Sequence, residues 1–195
     1  IMDKEGKLPI LRSMSEIAGN TSILIASEYL SNVNSGKGLM LGGVAGLSPT
    51  DVVIIGSGTV GEYACRTSLG LGCNVKVFDT SLSRLRRLHQ HTQRNVSTSL
   101  IQPKSLRKAL KRADVVIGAL RSGDGRTPCV VSETMVKDMK EGSVIVDVSI
   151  DHGGCFETSE VTTHKKPIFN KHGIVHYCVP NIASRVARTS SFAVC

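Results

Sequence analysis

The sequence predicts an α/β chain: a Rossmann-like, doubly wound parallel sheet with helices on both faces. Three observations predict it. Short apolar, β-branched runs recur, at Asp51–Ile55, Asn74–Asp79, Asp114–Gly118 and Ser143–Val148. Segments with helical spacing separate them. The first run ends directly in Gly56-Ser57-Gly58-Thr59-Val60-Gly61, a glycine pattern that converts a strand into a helix.

The elements follow in order. Helical spacing runs from Met14 to Leu30, with Met14, Ile17, Ala18, Thr21, Leu24 and Ile25 on one face and Ser13 or Ser15 as the cap. A connection rich in glycine, through Gly36, Gly38, Gly42, Gly43 and Gly46, ends at Pro49 and Thr50. Asp51–Ile55 reads as a buried parallel strand. A helix over Thr59–Leu71, capped by Gly72, and a strand over Asn74–Asp79 complete a βαβ unit. Next come a helix over Ser83–His91, a strand over Val96–Leu100, a helix from Pro103 to Arg112 and the strand at Asp114–Gly118. A loop with Gly123, Gly125 and Pro128 leads to a helix over Ser132–Met139, capped by Ser132. Strands at Ser143–Val148 and Ile174–Cys178 finish the pattern.

Composition narrows the function classes. At 41% apolar and 21% charged, the 195 residues are ordinary globular material, and with 4% aromatics and no Trp the core must be aliphatic. The net charge of +8 gathers partly in Arg84, Arg86, Arg87 and Arg94, and in Lys104, Arg107, Lys108, Lys111 and Arg112. No aromatics interleave these residues for base stacking, so they read as solvated helix faces and no nucleic-acid partner is expected. The six cysteines are scattered without a CxxC pair, so no metal site is expected, and a reducing cytoplasm is the simplest setting. No apolar run reaches membrane-spanning length, and no membrane partner is expected. The chain opens at Ile1-Met2 close to a helix and stops at Cys195 within an apolar stretch, which reads as a fragment of a longer protein.

The glycine turn carries the chemistry. Gly56 permits the sharp turn, Gly58 lets backbone approach a pyrophosphate, and Gly61 lets helix pack against strand. The helix start at Thr59 and Val60 then offers N–H groups and a positive dipole end to phosphate. Asp79 closes the second strand, where a carboxylate can accept both hydroxyls of an adenine ribose and repel a 2′-phosphate. That favours NAD over NADP, although Arg84 lies close enough to counter the carboxylate; an ordinary helix-capping Asp is the alternative. Asp151 follows the strand at Ser143–Val148, at the carboxyl edge where ligands bind, and precedes His152-Gly153-Gly154. Turn former and site residue both stay open for it. His89 and His91 read as exposed, His164 and His172 as loop residues, and His176 as a hydrogen-bonded core histidine. Only His152 adjoins the expected cleft.

Longer segments carry a resemblance: Met14–Gly19, Gly42-Gly43-Val44, the glycine turn, Gly142–Val148, Ile150-Asp151 with Gly153-Gly154-Cys155, Glu157-Thr158-Ser159, Thr162-Thr163-His164, Gly173–Val179 and Arg188-Thr189-Ser190. Over nearly its whole length the sequence resembles the nucleotide-binding half of the alanine dehydrogenase family. That family includes the nucleotide-binding part of proton-translocating nicotinamide nucleotide transhydrogenase. The stretches around Asp151 and His176 resemble the alanine dehydrogenase side. The resemblance implies reversible NAD-dependent oxidative deamination of L-alanine to pyruvate and ammonium, with a transhydrogenase or a saccharopine-forming dehydrogenase as alternatives.

The resemblance also implies residue roles. Ser15 would contact the cofactor pyrophosphate, Asp79 the ribose, and Arg84 the adenine end. Ala119 and Leu120 would lie along the cofactor, and Ile150 and Asn181 would border the nicotinamide. Asp151 would be the catalytic carboxylate. The family's usual Gln is His152 here, and the loop Arg121–Thr127 departs from the bacterial pattern. The family's substrate-holding Arg and Lys and its catalytic His lie in an N-terminal catalytic domain that this sequence lacks. Residues 1–30 are then expected as an incoming helix from that domain, 31–180 as the NAD-binding domain, and 181–195 as the start of a return segment. The full-length protein is expected to be a homo-oligomer.

Overall fold

A computed structural model describes residues 9–92, 96–121 and 125–194. Arg94, Gly123, Cys195 and residues 1–8 lie outside the described residues. Seven strands form one sheet in the order β3-β2-β1-β4-β5-β7-β6. They are β1 (Asp51–Ile55), β2 (Asn74–Asp79), β3 (Ser97–Leu100), β4 (Val115–Gly118), β5 (Val144–Asp147), β6 (Ile168–Lys171) and β7 (Ile174–Tyr177). The helices are α1 (Pro9–Leu30), α2 (Thr59–Gly70), α3 (Leu82–Thr92), α4 (Pro103–Leu110), α5 (Glu133–Lys137) and α6 (Ala187–Phe192).

Every pairing is parallel except β6 with β7. That antiparallel edge strand is absent from the sequence reading. Ile168 and Phe169 are its only apolar residues and both are half-buried, so it lacks the continuous apolar run of a central strand.

Alternation along the strands divides the core. Val52 and Ile54 of β1 join Ile117, Val146, Ile23 and Leu88 on one face. Val53 and Ile55 join Phe78, Val116, Leu106 and Phe156 on the other. The apolar runs are therefore strands buried on both sides.

Two local expectations for α1 are corrected. The described helix already runs from Pro9, so Ser13 and Ser15 lie inside it and neither caps its start. Ser15 sits inside the helix, and its hydroxyl donates to the Leu11 carbonyl at 2.8 Å. The predicted apolar face holds at Ala18, Thr21 and Ile25, which are buried, but Leu24 is 57% exposed, and Ser22, Ile23 and Ala26 join the buried side. The cause is how α1 lies on α2. A Cβ at Gly19 would stand 2.4 Å from the Val60 carbonyl oxygen, so only glycine admits this approach. The crossing brings Ser15 to the glycine turn.

Other ends shift modestly. Helix α4 stops at Leu110, two residues before the predicted end, and α5 covers only Glu133–Lys137. Ser132 does cap α5, accepting the Met135 N–H at 3.4 Å. Gly72, at φ +84°, follows α2 in the left-handed region and donates to the Leu69 carbonyl at 3.1 Å.

Candidate dinucleotide-binding site

The chain runs from β1 outward to β3, then crosses back to β4 on the other side of β1. The carboxyl ends of β1 and β4 therefore form a switch point, where a parallel sheet leaves a crevice. The glycine turn fills its floor. A Cβ at Gly56 would lie 2.3 Å from the Ala119 carbonyl oxygen, and φ there is +110°. A Cβ at Gly61 would lie 1.8 Å from the Gly56 carbonyl oxygen, so the helix start rests on the strand end.

Gly58 differs from both. A Cβ there would meet nothing within 4 Å. Helix α2 starts beyond it without a side-chain cap. The first intrahelical bond runs from the Glu62 N–H to the Gly58 carbonyl at 2.9 Å, so the N–H groups of Thr59, Val60 and Gly61 precede the helical ladder. Open space over a positive helix end is what a pyrophosphate requires.

Asp79 ends β2 and is fully buried. Its Oδ2 accepts the Ser57 N–H at 2.6 Å and the Ser57 hydroxyl at 2.8 Å, and Oδ1 accepts the Ser81 N–H at 2.8 Å. The carboxylate thus ties the glycine turn to the start of α3. Arg84 is exposed on the first turn of α3, its N–H directed to the Ser81 hydroxyl at 3.4 Å.

A cleft of about 370 Å³ continues from the turn over β4 and β5. Ser15, Val60, Ala119, Leu120, Asp151 and Asn181 line it, drawn together from widely spaced segments. Ile150 does not line it; its side chain is 6% exposed and points into the fold. The residues on either side of it, Ser149 and Asp151, face the cleft because Val148–His152 forms a 3₁₀ turn. The cleft includes His152, which the sequence already placed beside it, and also Arg121 and Ile182, which sequence reasoning did not assign to a site. For His152 the signal was its adjacency to Asp151; Arg121 and Ile182 carry no local signal.

Asp151 and Asn181 meet directly. The Asp151 Oδ1 accepts the Asn181 N–H at 2.9 Å. Asn181 is left-handed, with φ 53° and ψ 52°, a conformation that Asn adopts more readily than most residues other than glycine. Its carbonyl accepts the Ser184 hydroxyl at 2.8 Å, so the residue is held through both its N–H and its C=O. Asp151→Ala is expected to release it, costing about 1 kcal/mol locally and raising hydrogen exchange at the Asn181 amide about fivefold. Unchanged exchange would show that the carboxylate does not hold this turn.

The turn bearing Asp151 is anchored by Asp147, the last residue of β5. Asp147 is fully buried and accepts the Ser149 N–H at 3.0 Å, the Cys155 N–H at 3.0 Å and the Ser159 hydroxyl at 2.7 Å. The fit is tight: a Cβ at Gly118 would come 2.5 Å from Oδ1, and one at Gly154 2.7 Å from Oδ2. Burial pushes the Asp147 carboxyl up to about 6, against the opposing pull of these donors.

His176 is a core residue. Its Nδ1 lies 3.0 Å from the Ile174 carbonyl and so carries the proton; Nε2 then accepts the Thr158 hydroxyl at 2.9 Å. Burial lowers its pKa, which keeps the ring neutral. His89 and His91 are exposed, as expected from the sequence. Among the described residues no group of His, Cys, Asp and Glu is arranged to hold a metal ion, and no helix is long and apolar enough to cross a membrane.

Comparison with known proteins accords with this geometry. Residues 22–195 match the family model described as alanine dehydrogenase/PNT, C-terminal domain. An alanine dehydrogenase of Mycolicibacterium smegmatis is 41% identical over 194 residues, covering 100% of this chain and 52% of the relative. One of Methanococcus maripaludis is 44% identical over 188 residues, covering 96% and 50% respectively. A solved L-alanine dehydrogenase superposes with a TM-score of 0.93 at 38% identity, over 99% of this chain and 54% of the other. A transhydrogenase from Sinorhizobium meliloti shares the fold, with a TM-score of 0.77 at 22% identity, over 94% of this chain and 52% of the other. The chain spans about half the length of the curated relatives it matches. A matching model over most of its length and a glycine turn seated at the switch point of its sheet make this chain a member of the alanine dehydrogenase/PNT C-terminal domain family.

Proposed function

We propose that the chain is the NAD(H)-binding domain of an L-alanine dehydrogenase-like oxidoreductase, which interconverts L-alanine with pyruvate and ammonium. The observation that supports this most is the open space over Gly58, at the uncapped start of α2 and between Asp79 and Asp151. An extended dinucleotide fits those three points: ribose by Asp79, pyrophosphate over the turn beside Ser15, nicotinamide over Ala119, Leu120 and Asn181. Arg84 flanks the adenine end.

When bound, the nicotinamide ring supplies the site that gives or takes a hydride. The chain's own residues bind, orient and handle protons. The N–H groups at Thr59 and Val60 hold phosphate oxygens. Asp151, at the carboxyl edge of β5, orients the substrate amine or a water and accepts a proton. Its bond to Asn181 fixes the direction of that carboxylate. Residues 1–30, which carry α1, serve as the entry segment, 31–180 as the cofactor domain and 181–195 as the start of the return segment. The residues that grip the substrate belong to a second domain of the whole protein, a cytoplasmic homo-oligomer.

Calorimetry on the 195-residue chain tests the reading. It is expected to bind NADH and to prefer it to NADPH, because Asp79 would repel a 2′-phosphate. Alanine-dependent formation of NADH by the chain alone is expected to stay at background. Preference for NADPH would reverse the Asp79 assignment, and brisk turnover by the chain alone would sink the half-molecule reading.

A further inference from the structure

The Asp79 carboxylate is already crowded before any ligand arrives. A carboxylate has about four lone-pair sites. The Ser57 N–H and hydroxyl share Oδ2, and the Ser81 N–H is on Oδ1. A ribose diol brings two further O–H donors, one more than the remaining capacity. Asp79 is 0% exposed and Ser57 only 1%, so water does not make up the difference.

One donor must give way, and the two backbone N–H groups are fixed by the turn and by the start of α3. The Ser57 hydroxyl alone rotates on a single bond. We propose that Ser57 is a specificity-determining residue: its hydroxyl occupies the lone pair that a ribose 2′-hydroxyl takes, and cofactor binding exchanges one for the other. This rests on the dinucleotide reading above. The exchange makes Ser57 a brake on NAD(H) affinity. A 2′-phosphate has no proton to give that oxygen, so with NADPH the Ser57 hydroxyl stays in place.

Ser57→Ala removes the competing donor and leaves the N–H. Calorimetry on the 195-residue chain is expected to show NADH bound about tenfold more tightly, the lower end of what a hydrogen bond to a charged group is worth. NADPH affinity is expected to stay unchanged. In a thermal melt without cofactor the variant is expected to unfold earlier, having lost a bond to a buried carboxylate, with a larger upward shift on adding NADH. Ser57→Gly also lacks the hydroxyl and repeats the binding test if alanine impairs folding. NADH binding that is equal or weaker in both variants overturns the assignment. A parent chain that binds neither cofactor overturns the dinucleotide reading itself, and the Ser57 assignment with it.

Discussion

Alanine at Gly58 is expected to leave the fold intact and weaken NADH binding about a hundredfold, whereas alanine at Gly61 is expected to destabilise the chain by about 3 kcal/mol or more. The two glycines lie in one turn, yet they serve different purposes. Gly58 has φ −71° and ψ −169°, extended backbone that any residue adopts, and its Cβ would meet no atom within 4 Å. Stability is expected to hold or rise by about 0.5 kcal/mol, since alanine restricts the unfolded chain. The methyl would instead occupy the space proposed for the pyrophosphate. At Gly61 the new Cβ would sit 1.8 Å from the Gly56 carbonyl oxygen and 2.8 Å from its carbon, both backbone atoms that no rotamer change can move. Urea melts and calorimetry on both variants separate the effects. Parental NADH affinity in Gly58→Ala would mean that phosphate does not lie over this turn.

The second large effect is a dependence of stability on pH, set by Asp147. Its carboxyl titrates near 6 in the folded chain and near 3.8 when unfolded. Between those values the folded state holds a proton that the unfolded state has released. Stability therefore falls as pH rises from about 4 to 6, and the full cost of about 3 kcal/mol persists above that window. Asp114 works in the opposite sense and in another range. Its pKa is lowered although burial opposes this, because Lys37 at 2.9 Å, the Asp51 N–H at 3.0 Å and Lys140 at 3.1 Å favour the charged form. Its contribution is lost only as pH falls below 3.8 towards its folded value. Urea melts from pH 4 to 6 are expected to slope downward in the parent and to lose that slope in Asp147→Asn. The same slope in both proteins would remove Asp147 as its source.

Much of the scaffold was legible because its signals are local. The apolar runs at β1, β4 and β5 announce strands buried on both faces, and the glycine turn joins β1 to α2 as its spacing demands. Edge strand β6 was illegible for the converse reason: a half-buried strand with two apolar residues has little pattern to show. On α1 the predicted face was right at Ala18, Thr21 and Ile25 and wrong at Leu24; the close approach at Gly19 sets the helix's rotation, and a contact between two helices leaves no periodic trace in either.

For the site, the order along the strands already placed Asp79 and Asp151 at the carboxyl edge. Their partners were not readable. Asp79 is bound by Ser57, 22 residues away, and Asp151 by the Asn181 N–H, 30 residues away. Ile150 and Asp151 are neighbours in sequence, yet the 3₁₀ turn sends one inward and the other to the cleft.

By itself, the sequence determined the α/β class, the glycine turn and which acidic residues sit at the strand ends, since strand period, glycine freedom and strand–helix alternation are properties of short segments. Only the tertiary structure decided that Gly58 opens onto free space while Gly61 is packed against backbone, that Asp79 is already engaged by Ser57, and that Asp151 holds a left-handed Asn181. Those outcomes depend on which distant segments converge on one edge of the sheet, and packing sets that convergence.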